Sequence, residues 1–255
     1  MKIPKEFELE KDSFYLLESV RKNKSSLCFT DKENYLIGRY QEFPTWIWNK
    51  NKIKEEKIEE IKEILKDHYL KEEYTNFTCK KELYEALSQT FPTTNYFEMG
   101  FLSCKKVKEI EQAKGFMDTP TEEDREVLKK YWKDFNHSIH EDVRFDDRAI
   151  DEEVDKWYKE KQFFLWRNNS GKVVSIACFR IEGKMAKLSH VYTPVEERRK
   201  GYCASLIASI TKMLLEKGYE PMLYTDFHYE ASNHAYEKVG YQLKTVLINF
   251  KMKNL

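Results

Sequence analysis

The stretch MAKLSHVYTPVEERRKGYCASLIASITKML, residues 185–214, constrains the fold more than any other part of this chain. Its first nine residues read as a β-strand that Pro194 closes, because proline cannot donate to a ladder. Three bases and Gly201 follow. A helix over 201–217 then carries Leu206, Ile207, Ile210 and Leu214 on one face and ends at Gly218. A strand that turns directly into an amphipathic helix lays that helix on a sheet, so the fold class reads as α/β.

The flanking residues extend the alternation. Helices are expected over 121–139 and 150–161, strands over QFFLWRN, KVVSIACFRI, PMLYTDF and YQLKTVLINFKM, and a short helix over 232–239. Pro120 stops what precedes it and Thr121 can cap a helix with acids in its first turn, which places a boundary near residue 118. The expected division is an N-terminal α/β domain over 1–118 and a second domain over 119–255. In the first half, SLCFT, NYLIGRY, TWIWNK, TNFTCK and YFEMGFLSC read as strands, with helices over 54–70 and 81–91. The element order of 44–104 thus matches that of 186–251, although no residue-level repeat accompanies it.

The loop itself suits an anion. A helix N-terminus offers unpaired N–H groups and the positive end of the macrodipole. Gly201 allows close approach, and Arg198, Arg199 and Lys200 add charge. Since 44 basic and 44 acidic side chains cancel over the chain, this charge is local. A nucleic-acid partner is therefore not expected, nor is a membrane partner: no apolar run approaches the length of a span.

The segment VYTPVEERRKGYCASL resembles the acyl-CoA loop of the GNAT N-acetyltransferases, whose pattern is Gln/Arg-x-x-Gly-x-Gly/Ala. Arg198, Gly201 and Cys203 fill its three places, cysteine being a departure that stays small. Downstream, LYTDFHYEASNHAYEKVGYQL is similar to the second signature of that family, with Asn233, Tyr236, Glu237, Lys238, Gly240 and Tyr241 in its places. The Asn-Pro of many relatives is absent. The resemblance covers about residues 121–255 and implies the GNAT acyl-CoA N-acyltransferase fold, a mixed, splayed sheet holding acetyl-CoA as co-substrate. For the first half it suggests a tandem arrangement with a degenerate copy that lacks a cofactor loop.

The reaction so implied moves an acetyl group from a thioester to a primary amine. Arg198, Arg199, Lys200, Gly201, Tyr202, Cys203 and Ala204 would hold the pyrophosphate. Main-chain groups of Val191, Tyr192 and Thr193 would meet the pantetheine arm, and the N–H of Val191 or Tyr192 could serve as oxyanion donor. Tyr236 is the candidate general acid: a phenol near pKa 10 can protonate a thiolate whose acid has a pKa of about 8.5. Asn233 would anchor the pantetheine or cap its helix. His190 is a candidate general base, directly or through water, with Asp226 and His228 as comparable alternatives.

Five scattered cysteines without a CxxC pair read as reduced thiols of a cytoplasmic protein. Neither Cys178 nor Cys203 has a histidine beside it in sequence, so direct attack in a ternary complex is favoured over an acyl-cysteine. His137 and His140 lack a carboxylate or cysteine partner, so no metal is expected. Phe43, Trp46, Trp48, Tyr96 and Phe97 are expected in the core of the first half. The acceptor is expected to be a small-molecule amine; a protein lysine or N-terminus, and a non-catalytic acyl-CoA sensor, are the alternatives. Nothing in the sequence sets the number of chains, and a homodimer is allowed.

Overall fold

The computed structural model describes residues 2–41, 43–70, 75–138 and 146–253. Two short helices come first, α1 (Phe7–Glu10) and α2 (Tyr15–Lys22). They precede β1 (Leu27–Thr30), β2 (Tyr35–Arg39), β3 (Thr45–Asn49), α3 (Glu55–His68), β4 (Thr75–Cys79), α4 (Lys81–Ser88) and β5 (Thr93–Ser103). Next come β6 (Phe116–Asp118), α5 (Arg125–Ser138), α6 (Asp147–Glu160), β7 (Phe163–Arg167), β8 (Val173–Glu182) and β9 (Met185–Tyr192). The chain closes with α7 (Tyr202–Glu216), β10 (Glu220–Asp226), α8 (Glu230–Val239) and β11 (Gln242–Met252). The expected mixed α/β fold is present, and β3-α3-β4-α4-β5 runs in the same order as β9-α7-β10-α8-β11.

Contacts divide the chain into two units. One holds residues 1–101, 225–228 and 243–255; the other holds 102–224 and 229–242. Residues 102–118 therefore go with the second half, and most of β11 goes with the first.

In the first unit the strand order is β1-β2-β3-β4-β11-β5. The last strand returns antiparallel to β4, with Ile248 opposite Cys79 and Phe250 opposite Phe77. Alternation along β3 decides what each face buries. Ile47 joins Ile61 and Leu65 of α3 in one core. Trp48 and Trp46 face the other way, edge-on to Phe7 at 5.7 Å and to Phe14 at 6.3 Å. The N-terminal helices, weakly patterned in sequence, are thus held by two indoles. Of the five aromatics expected in the core, only these two tryptophans are buried; Phe43, Tyr96 and Phe97 are exposed.

In the second unit the order is β10-β9-β8-β7-β6. Val174, Ala177 and Phe179 of β8 face Leu206, Ile207, Ile210 and Leu214 of α7. Val173, Ile176 and Cys178 face Leu128, Trp132, Val154 and Trp157 of α5 and α6. Each fully buried aliphatic side chain here contributes about 1.5–3 kcal/mol. Thr121 opens the helical region as expected, its N–H donating to Asp124 Oδ2 at 2.7 Å. Asp124 in turn receives Arg167 Nη2 at 2.7 Å, while Arg167 Nε reaches Asp118 at 2.7 Å.

Candidate active site

The site is built on β9 and on the turn that follows it. β9 pairs in parallel with β10 only over Met185–Lys187 and Glu220–Met222. Beyond those residues the two strands part, which opens the sheet at Leu188–Tyr192.

On its other edge β9 pairs with β8, Ser189 opposite Cys178 and Tyr192 opposite Ile176. Two residues, His190 and Val191, therefore oppose the single residue Ala177. This is a β-bulge, and it leaves an extra residue outside the ladder. His190 adopts φ +50° there. The bulge also inverts the alternation, since a one-residue slip sends every later side chain to the opposite face. Ala186 and Leu188 face α7, and by simple alternation His190 would follow them. Instead Val191 packs on that side. The His190 ring lies 5.2 Å from Phe135 of α5 and 5.5 Å from Trp157 of α6. Burial pushes its pKa down to about 4.

The strand end is tied to the loop. Ser175 Oγ donates to Tyr192 O at 3.2 Å and lies 2.8 Å from Thr193 Oγ1. Arg198 Nε donates to Thr193 O at 3.0 Å, and its Nη1 to Tyr229 Oη at 3.3 Å. The carbonyls of Tyr192 and Thr193 are therefore already engaged. A 3₁₀ turn over Val195–Glu197 follows Pro194. Its buried Glu197 accepts from Lys172 Nζ at 2.7 Å and Lys200 Nζ at 2.8 Å. These two ammonium groups hold the Glu197 carboxyl below the usual carboxylate range. Lys200, expected to add charge to an anion, thus gives much of it to Glu197, although it and Arg199 are both exposed.

Gly201 stands at the N-cap of α7 with φ +82° and ψ −3°. A Cβ there would meet only Ala113 Cβ, at 3.5 Å, so the conformation rather than space requires glycine. The first helical bond of α7 runs from Ser205 N to Gly201 O at 3.0 Å. The N–H groups of Tyr202, Cys203 and Ala204 precede it and form the donor set that an anion needs. Ser205 Oγ accepts from Ala113 N at 2.8 Å, which sets the segment 105–115 beside the loop.

Tyr236, on α8, is buried beside α7, edge-on to Tyr241 at 6.0 Å. Burial, with the neighbouring Cys203 thiol, pushes its phenol above the ordinary tyrosine value. Burial also pushes the Cys203 thiol up to about 11, so at neutral pH it stays protonated. Asn233 is not a cap: α8 begins at Glu230, and Asn233 N already closes a helical bond on Tyr229 O at 3.3 Å. Gly240 ends the helix at φ +119°, where a Cβ would stand 2.5 Å from Lys106 O.

The other candidate bases lie in the first unit. His228 Nε2 is 3.1 Å from Glu98 Oε2, and Asp226 Oδ1 accepts His228 N at 2.9 Å. Among the described residues no group of three or more His, Cys, Asp or Glu gathers as a metal site. His137 lies in the last turn of α5, and His140 lies outside the described residues. Also among the described residues, no helix is long and apolar enough to cross a membrane. Sequence reasoning missed Glu197, Ser175, the 105–115 segment and the proximity of Cys178 to His190. For Glu197 a signal existed, an acidic pair directly before the bases. For the rest, only tertiary contact could reveal them.

Comparison with known proteins bears on this geometry. The family described as FR47-like protein, which is GNAT-related, matches residues 168–248. No curated protein matches the chain. Solved structures that are similar include a GNAT-family acetyltransferase from Colwellia psychrerythraea, at 13% identity and TM-score 0.61 over 96% of this chain and 90% of that one. A GCN5-related N-acetyltransferase from Kribbella flavida is 12% identical, with TM-score 0.60 over 99% and 97% of the two chains. One from Sphaerobacter thermophilus is 10% identical, with TM-score 0.62 over 92% and 84%. At these identities the likeness is one of fold. The chain has the GNAT acyltransferase fold, and its second half carries the resemblance to the GNAT N-acetyltransferases.

Proposed function

We propose that the protein is an N-acetyltransferase that moves an acetyl group from acetyl-CoA to a primary amine of a small molecule. The observation that carries this reading is the parting of β9 from β10 directly before a bulge and the uncapped start of α7. An extended pantetheine arm fits an opened sheet edge, and a diphosphate fits the N–H groups of residues 202–204. The residues present thus suit the co-substrate.

In this reading the loop from Arg198 to Ala204 holds the diphosphate, with Arg198 bracing the loop and Arg199 supplying charge. Val191 lies within the bulge, and its N–H is the preferred oxyanion donor. Tyr192 and Thr193 position the strand through the bonds of their carbonyls rather than offering both to the arm. His190, neutral at physiological pH, accepts a proton from the amine, directly or through water. Tyr236 keeps its proton and delivers it to the departing thiolate. Asn233 contacts the arm from the first turn of α8. The protonated Cys203 supports direct attack over an acyl-cysteine, and the fold of the first half is a degenerate counterpart of the second.

Calorimetric titration with CoA, followed by CoA release measured against a panel of amines, tests this. Binding with amine-dependent release is the expected result. Binding without release on any amine would make the protein a sensor, and release only with peptides would make the acceptor a protein. A burst of CoA before any amine is added would restore the acyl-cysteine.

A further inference from the structure

Glu197 is a buried carboxylate inside a loop that the reading above assigns to an anion, and that reading gives it no task. Each of its oxygens receives one ammonium group, Oε1 from Lys172 Nζ at 2.7 Å and Oε2 from Lys200 Nζ at 2.8 Å. Both lysines are exposed, so two surface cations are gathered around an anion that belongs to the protein. Lys172 comes from a distant turn whose shape is fixed locally. Asn168 Oδ1 accepts from the N–H groups of Ser170 at 3.1 Å and Lys172 at 3.0 Å, and Arg167 Nη1 donates to Gly171 O at 3.3 Å. Glu196 and the phenol of Tyr202, the first residue of α7, also lie within electrostatic range of the Lys172 amine. Lys200 directly precedes the N-cap glycine of that helix. The pair therefore stands beside the uncapped start of α7.

Two ammonium groups that bracket a carboxylate also suit a phosphate, which offers oxygens in a similar array and carries more charge. Each ammonium has three donors on a flexible stem, so it can turn from one anion to another without backbone movement. We propose that Lys172 and Lys200 form a phosphate subsite for the nucleotide end of CoA, and that Glu197 competes with the ligand for them and so limits its affinity. The inference rests on the transferase reading for the identity of the ligand. A loosened grip has a use in that reading, because CoA must leave after every turnover.

Calorimetric titration of the full chain with CoA, 3′-dephospho-CoA and inorganic pyrophosphate tests this in the wild type, Glu197→Gln, Lys172→Ala and the double variant. Glutamine keeps the shape and an acceptor but removes the charge. Glu197→Gln should bind CoA roughly fivefold more tightly, and Lys172→Ala roughly threefold more weakly, as exposed ion pairs are worth. In the double variant the gain should shrink, since a competitor matters only while the cations it holds are present. Unchanged or weaker CoA binding by Glu197→Gln would make Glu197 a strut between turn and loop and overturn the proposal, as would the full gain surviving in the double variant. Should the glutamine variant fail to fold, Lys172→Ala decides alone, and unchanged affinity there would overturn it. An equal gain with dephospho-CoA assigns the pair to the diphosphate, and a gain confined to CoA assigns it to the 3′-phosphate. Pyrophosphate held more tightly by Glu197→Gln, with no CoA uptake by any of the proteins, would sustain the competition and remove the transferase reading. No uptake of any of the three anions would remove both.

Discussion

Arg198 Nε donates to the main-chain oxygen of Thr193 across 3.0 Å, so the first base of the loop is anchored to the strand before it. A second contact of the same guanidinium reaches Tyr229 Oη at 3.3 Å, at the entrance of α8. A side chain with two such contacts shapes the loop as much as it charges it. Lysine has no fork with which to make both. Arg198→Lys should therefore weaken CoA binding nearly as much as Arg198→Ala, each by roughly tenfold, the worth of one charge-assisted hydrogen bond. Lys200→Ala should do less than Arg199→Ala, because Lys200 sits on Glu197 at 2.8 Å. Calorimetric CoA affinities of the four variants check the order.

Gly201→Ala separates backbone strain from steric exclusion. The nearest atom to a new Cβ is 3.5 Å away, yet φ is +82°. The left-handed conformation should cost about 1–2 kcal/mol of stability. Denaturant unfolding reads that cost, and CoA titration reads any loss from a shifted loop. A variant as stable as the wild type would mean that the loop adopts another conformation.

Tyr236→Phe removes a hydroxyl from a buried ring without removing the ring. A lost general acid should lower kcat by about 100-fold or more while acetyl-CoA affinity changes little. Because burial raises its pKa, ionisation of this phenol should not limit the rate across the neutral and mildly alkaline range. Unchanged turnover of the variant across a pH series would remove the tyrosine from the mechanism.

Asp124 joins the start of the α5 region to β7 through Arg167, at 2.7 Å and 3.0 Å. Burial alone would raise its pKa, but the Arg167 guanidinium and Thr121 outweigh this and hold it below the ordinary carboxylate value. A carboxylate depressed in the folded state stabilises above its unfolded pKa, about 3.9, and that contribution is lost as pH falls through the lower folded value. Stability should thus hold down to about pH 4 on this account and decline below it. Asp124→Ala should cost about 3 kcal/mol at neutral pH, since it leaves Arg167 partly buried with fewer partners, and should flatten the acid limb. Urea unfolding at several pH values measures both.

Much of the fold was legible because its signals are local. Alternation in TWIWN, the capping threonine at 121 and the glycines at 201, 218 and 240 each act within a few residues, and the corresponding elements lie where they were expected. The short helices of residues 7–22 were not legible, because what orders them is contact of Phe7 and Phe14 with two distant indoles. The place of the last strand beside β4 was not legible either, because register between distant segments sets it.

By itself the sequence determined the order of strands and helices, the strand–loop–helix unit at 185–217 and the composition of an anion-binding turn, all consequences of short-range periodicity and backbone preference. Only the tertiary structure decided where β9 leaves β10, which face His190 occupies, that Lys200 answers to Glu197, and that Cys178 touches the imidazole. Those outcomes depend on a single extra residue in one strand and on pairings between distant segments. Inserting one residue into a ladder reverses the faces of everything beyond it, and no local pattern records the partner against which it is counted.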